Sequence, residues 1–161
     1  MVTTALRAGR MRAPRIPIPE FDPYRPVQIT IPSGEQYVPE IRKFIERTSI
    51  STWLTTEDVA ELKLAATEAC LNAIRHGSPN GAASQVGVTV KPMIDQVVVE
   101  VCDEGQGFDV RQTRRRPFPA GENGRGVKLI DCLVDRAEYW HTGHGQVVRL
   151  IKRARMLYDT P

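Results

Sequence analysis

Apolar and polar positions alternate along some stretches of the chain and recur at helical spacing along others. Val27-Gln28-Ile29-Thr30-Ile31 alternates and is rich in β-branched residues, which predicts a first strand stopped by Pro32-Ser33. From Tyr37 the apolar residues Val38, Ile41, Phe44 and Ile45 lie on one side of a 3.6-residue period, so an amphipathic helix is expected to about Thr48. Thr55-Thr56-Glu57-Asp58 then offers a hydroxyl cap followed by acids that suit a helix N-terminus. Val59, Leu62, Leu64, Ala66, Ala69 and Ala73 carry this longest helix to Gly77, where Gly77-Ser78-Pro79-Asn80-Gly81 stops it. Val86, Val88 and Val90 predict a strand closed by Lys91-Pro92. Ile94-Asp95-Gln96 turns it into Val97-Val98-Val99-Glu100-Val101-Cys102, and an antiparallel hairpin is the simplest connection. Residues 109–123 show no period and read as a mobile loop. Val127, Leu129, Ile130, Leu133 and Val134 then make a short helix opening at Gly124-Arg125-Gly126. Two last strands, near 136–141 and 146–152, meet across Thr142-Gly143-His144-Gly145.

A chain of 161 residues is long enough for one domain with a core and too short for two of ordinary size. Residues 1–26, with Pro14, Pro17, Pro19, Pro23 and Pro26 among arginines, cannot hold a regular helix and read as a flexible tail. Residues 27–153 are the expected domain, and 154–161 a C-terminal tail. Hydrophobic residues at 41% and charged ones at 25% are ordinary for a globular protein, and a net charge of +3 implies no nucleic-acid partner. The three cysteines, Cys70, Cys102 and Cys132, sit among apolar neighbours without any Cys-x-x-Cys pair, so reduced core thiols are expected rather than a zinc site. No apolar run has the length of a secretory signal or a membrane span, so a soluble, cytoplasmic protein with no membrane partner is expected.

Candidate chemistry concentrates in three places. On the long helix Glu68, Asn72 and Arg75 stand at i, i+4 and i+7 and are expected to share a stripe. Asn72 offers an oxygen to Mg²⁺, which takes its other ligands from phosphate and water. Glu68, one turn back, is placed to orient or deprotonate a hydroxyl or water attacking a γ-phosphate. Taken alone, the pair also describes a solvated helix face. The second place is Asp103-Glu104-Gly105-Gln106-Gly107-Phe108, where a carboxylate at a strand end can accept hydrogen bonds from an amino-bearing ring and glycines admit a ligand to the backbone. The same residues describe an ordinary strand-to-loop turn. The third is Gly124-Arg125-Gly126, where free N–H groups and the helix dipole favour phosphate. No Gly-x-x-x-x-Gly-Lys-Ser/Thr occurs, which excludes a Walker loop. Gly105-x-Gly107 is followed by Phe108 and an expected loop, which argues against a Rossmann fingerprint. His76 ends a helix, where a partly positive imidazole suits the dipole, and His144 falls in a turn.

The order helix Glu-x-x-x-Asn, strand Asp-x-Gly-x-Gly-Phe, loop, Gly-x-Gly-helix resembles the Bergerat-fold ATPases, the superfamily of gyrase, heat-shock chaperone and sensor histidine-kinase ATP domains. Within it the chain looks like the anti-sigma-factor serine kinases, on Lys63-Leu64-Ala65-Ala66-Thr67-Glu68-Ala69-Cys70-Leu71-Asn72-Ala73-Ile74-Arg75-His76-Gly77, the Asp103 box, and Gly124-Arg125-Gly126-Val127-Lys128-Leu129-Ile130-Asp131. The likeness covers about 27–153. It implies an α+β two-layer sandwich, a mixed and mostly antiparallel sheet with helices on one face, and ATP held between helices and a lid. It implies Glu68 as catalytic base, Asn72 as Mg²⁺ ligand, Asp103 as adenine reader, and Gly105, Gly107, Gly124 and Gly126 as backbone contacts, with Arg125 beside the phosphates. The implied activity is phosphorylation of a serine on an anti-anti-sigma protein and, in another state, the holding of a sigma factor, as a homodimer. One departure is that some relatives place an arginine two residues before the first glycine of the last box, where this chain has Glu122. Arg114, Arg115, Arg116 and Arg125 are the alternatives for reaching a γ-phosphate. A non-catalytic switch that binds ATP and acts through partners is the competing reading, and an α/β domain whose glycines only make turns is a third.

Overall fold

The computed structural model describes residues 25–115 and 125–155. The leader 1–24, the stretch 116–124 with Arg116, Glu122 and Gly124, and residues 156–161 lie outside the described residues. Alternating burial builds β1 (Val27–Pro32), β2 (Gln85–Met93), β3 (Gln96–Cys102), β4 (Arg136–His141) and β5 (Gln146–Arg153). They form one sheet in the order β1-β2-β3-β5-β4, so the last strand made lies between β3 and β4. The sheet expected to be mixed and mostly antiparallel is antiparallel at every described pairing. Lys91-Pro92 does not close β2, which runs on to Met93. β1 stops with Val27 opposite Val90, so at Pro92 that flank of β2 is open and the missing N–H costs no ladder bond there.

Helices α1 (Val38–Ser49), α2 (Thr56–His76) and α4 (Arg125–Leu133) cover one face of the sheet. Ile41, Phe44 and Ile45 of α1 are fully buried, and each such side chain contributes about 1.5–3 kcal/mol. A reciprocal capping box opens α2: Thr55 Oγ1 accepts from Asp58 N (3.1 Å) and Asp58 Oδ2 accepts from Thr55 N (3.0 Å). Leu62, Ala65, Ala66, Ala69, Cys70 and Ala73 then line its buried face, and the small alanines let the helix lie close on Val97, Val99 and Val101. Leu64, expected to face inward, is exposed. It stands two residues beyond Leu62, more than half a turn round the helix.

The opposite face of the sheet carries a polar row. Arg149 Nε donates to Glu100 (2.7 Å) and its Nη1 to Glu138 (3.2 Å), with its guanidinium 4.8 Å from the Trp140 ring centre. At the far end of β5 the buried Lys152 lies 3.8 Å from the fully buried Asp58, pairs also with Glu61 and donates to Leu133 O (3.0 Å). Arg155 adds a 3.0 Å contact to Asp58. These charges tie the last strand to the first turns of α2; within them Lys152 and Asp58 are the buried pair, and removing one partner of such a pair costs about 3–5 kcal/mol.

Two further expectations differ from the fold. The stretch 109–123, read as a loop, contains a short helix, α3 (Val110–Arg115), in its described part. Asp109 caps it, its Oδ1 accepting from the N–H groups of Arg111 (2.9 Å) and Gln112 (3.2 Å). Of the three thiols expected in the core only Cys70 is buried. Cys102 is half-buried, and Cys132 points outward two residues after the buried Ile130; all are free.

Candidate functional site

β3 ends in the turn that fixes Asp103. Its N–H donates to Gln146 O (3.0 Å), and its Oδ1 accepts from Gly105 N (2.9 Å) and Gln146 N (3.1 Å). Burial pushes its pKa up, against the two backbone donors and the nearby His141 that favour the charge. The surrounding backbone comes within distances that only glycine permits. A Cβ on Gly77, at the end of α2, would stand 2.2 Å from Asp103 Oδ2, and one on Gly145, in the β4–β5 turn, 1.7 Å from Asp103 O. Asp103 is thus held from two sides, its carboxylate against Gly77 and its backbone against Gly145, with Oδ1 spent on backbone donors, while the residue lines an adjoining cleft.

The two glycines after it behave differently. Gly105, expected as a ligand contact, is buried and consumed by the turn: its N–H goes to Asp103, its O accepts from His141 Nε2 (3.1 Å), and it packs against Gly77. Gly107 does line the cleft. Its φ of 75° is left-handed, and a Cβ there would fall 2.1 Å from Gln146 Oε1.

At the other end of the cleft the first turn of α4 meets α2. A Cβ on Gly126 would stand 3.1 Å from Asn72 Nδ2 and 3.3 Å from Glu68 Oε2, so both side chains border the same backbone at a helix N-terminus. Asn72 and Gly126 line the cleft, whereas Glu68 stands at its rim and Arg125, the first residue of α4, is exposed. Gly124 lies outside the described residues. Arg75, the third residue of that stripe, donates through Nε to Glu35 (3.0 Å) and does not line the cleft.

Between these ends lies a cavity of about 290 Å³, floored by Ala69, Ala73, Val101, Val127 and Val148. Tyr139 contributes a wall that the sequence reading missed. Burial raises its pKa, and its hydroxyl has no hydrogen-bond partner among the described residues. The Phe108 ring meets Tyr139 edge-on at 6.2 Å, and Arg114 lies 5.5 Å from its ring centre. Arg114 is also forked onto Asp131 of α4 (2.8 and 2.7 Å), so its guanidinium is committed to holding α3 against α4. Gln146 and His141 were missed as well, since their roles come from pairing across strands; the only local hint was their place beside the glycine turn. His76 lines the cleft, and His144 is exposed in its turn.

Among the described residues no three of His, Cys, Asp and Glu gather into a metal cage. A neutral amide oxygen from Asn72 beside the Glu68 carboxylate fits a cation that draws most of its ligands from phosphate and water. Mg²⁺ has that preference, whereas structural zinc does not.

The sequence profile of the histidine kinase-like ATPase domain matches residues 31–152. The chain belongs to this family. It is similar to the serine-protein kinase RsbW of Bacillus velezensis, with 27% identity over 70% of this chain and 76% of that one. To the RsbW of Bacillus pumilus the identity is 28%, over 83% of this chain and 91% of that one. Among solved structures it resembles the RsbU and RsbW domains of Rv1364c from Mycobacterium tuberculosis, with a TM-score of 0.57 and 19% identity over 80% of this chain; it spans 32% of that polypeptide. The histidine kinase domain of a blue-light activated kinase from Erythrobacter litoralis superposes with a TM-score of 0.50 and 18% identity, over 77% of this chain and 62% of that one. These likenesses establish the histidine-kinase-like ATPase fold, and the resemblance to the anti-sigma-factor kinases is borne out by the RsbW relatives. Among the described residues no helix is long and apolar enough to cross a membrane.

Proposed function

We propose that the chain is an anti-sigma-factor-type serine kinase that binds Mg-ATP, phosphorylates a serine of an anti-anti-sigma protein and sequesters a sigma factor. It works in this reading as a cytoplasmic homodimer with no nucleic-acid or membrane partner. The observation that carries the proposal is the meeting of Glu68, Asn72 and Gly126 at one end of a cleft whose other end is the clamped Asp103. Asp103 accepts a hydrogen bond from the adenine amino group, while Val101 and Val148 give the ring an apolar floor. Asn72 and the N-terminal turn of α4 hold the phosphate end with Mg²⁺, and Arg125 stands at that turn. When bound, the metal neutralises charge on the phosphates. Glu68, at the rim, takes the proton of the incoming serine hydroxyl.

A second reading, ATP binding without transfer, is favoured by one observation: Arg114, one of the cations available for the γ-phosphate, is already paired with Asp131. Incubation with Mg-ATP and a candidate anti-anti-sigma protein separates the two. Phosphoserine that disappears in Glu68→Gln supports the kinase. Tight nucleotide binding with no transfer supports the switch, and absence of nucleotide binding overturns both.

A further inference from the structure

At the end of β3 opposite Asp103, the fold leaves an apolar surface open. Ile50, just past α1, is 76% exposed, Trp53 is 55% exposed and Ile94, in the β2–β3 turn, is 49% exposed. Trp53 N–H donates to Ile94 O at 2.8 Å, which fastens the α1–α2 connection to that turn. A half-exposed indole beside two aliphatic side chains is a costly surface to leave in water, and aromatic-lined faces of this kind suit proline-rich segments, whose φ angles are already restricted.

The chain supplies such a segment in the residues that precede β1. β1 begins with Val27 opposite Val90, four residues short of Ile94, so about 13 Å of strand at roughly 3.3 Å per residue separates their levels. The residues just upstream read Ile16-Pro17-Ile18-Pro19-Glu20-Phe21-Asp22-Pro23-Tyr24. In polyproline form they span up to about 28 Å at roughly 3.1 Å per residue, enough to cross the surface from where β1 starts. We propose that residues 16–24 of this chain dock on the face formed by Ile50, Trp53 and Ile94, with Ile16, Ile18 and the proline rings against Trp53. The other candidate segment, 156–161, follows Arg155, which is held by Glu57, Asp58 and Glu61 of α2. It has three large apolar side chains, Met156, Leu157 and Tyr158, and no proline before its last residue. The leader offers the longer and better-spaced set.

The chain contains two tryptophans, so full-length Trp140→Phe leaves Trp53 as the single indole reporter. In that background Ile16→Ser with Ile18→Ser is expected to shift Trp53 emission to the red and steepen its quenching by acrylamide, with the melting temperature of the domain retained. Ile50→Ser with Ile94→Ser should produce the same change, and the leader substitutions should then add nothing further. Three results overturn the proposal: Trp53 emission indifferent to the leader substitutions, a response to Leu157→Ser in their place, or a response to dilution that marks a contact between two copies.

Discussion

Asp103→Asn separates the fold from the function proposed for the cleft. The amide keeps an oxygen for the N–H groups of Gly105 and Gln146, and only one orientation is tolerable, because the flipped amide would point its NH₂ at those two donors. The amino group is therefore forced to the side where the carboxylate presents Oδ2. Two charge-assisted hydrogen bonds become neutral ones, a loss of about 1 kcal/mol each. The neutral side chain recovers the burial penalty that holds the Asp103 pKa up, so the net change in stability should stay within about 2 kcal/mol. Binding of adenine suffers more: a hydrogen bond is lost and two donors face each other, together about 3–5 kcal/mol. At about 1.4 kcal/mol per decade, Kd for ATP should rise by roughly two to three and a half orders of magnitude. Calorimetric titration with Mg-ATP, paired with thermal unfolding of the same sample, measures both quantities. A folded Asp103→Asn protein that binds ATP within about threefold of the parent would refute the assignment of Asp103 as the adenine reader.

The raised pKa of Asp103 also sets a pH dependence. The folded state keeps this proton at pH values where the unfolded chain has lost it, so stability is withdrawn as pH rises from the ordinary carboxylate value of 3.8 through the folded value. Denaturant titrations should show the parent losing stability relative to Asp103→Asn across that window. Asn72→Ala should remove the Mg²⁺ dependence of nucleotide binding while leaving metal-free binding unchanged, read by titration with and without chelator. Gly145→Ala, whose Cβ would stand 1.7 Å from Asp103 O, should cost about 1–3 kcal/mol or more through forced displacement, visible as a lowered melting temperature. Thr55→Ala breaks the capping box of α2 and should cost about 1 kcal/mol by the same measurement, with no change in ATP affinity.

The elements most legible in the sequence are those whose burial follows a single period. Val86, Val88 and Val90 and the α1 set Ile41, Phe44 and Ile45 are all buried as their spacing predicts, whereas in the continuous apolar run of β3 only the structure separates the buried Val97, Val99 and Val101 from Val98. α3 was illegible because its six residues have no apolar stripe; it depends on the Asp109 cap and on Arg114 reaching Asp131, a partner 17 residues away. Leu64 illustrates the opposite failure, an apolar residue whose angle on α2 carries it away from the sheet. In the candidate site, Glu68, Asn72 and Gly126 were readable as types at a spacing, and their convergence is what the fold adds. The clamp on Asp103 was not readable, since Gly77 and Gly145 look like a helix stop and a hairpin turn until the distances across them are measured. Tyr139 and Gln146 likewise acquire their places only when β5 enters between β3 and β4.

That insertion has a consequence for synthesis. The motifs on α2, at the end of β3 and at the start of α4 are all translated before β5. Yet Asp103 takes one of its two backbone donors, and the partner for its own N–H, from Gln146. A chain leaving the ribosome therefore carries every signature residue of the cleft without the strand that orients its carboxylate, and the proposed nucleotide site is complete only when the final hairpin closes. The clamp on Asp103 is therefore the last part of the cleft that the chain can build.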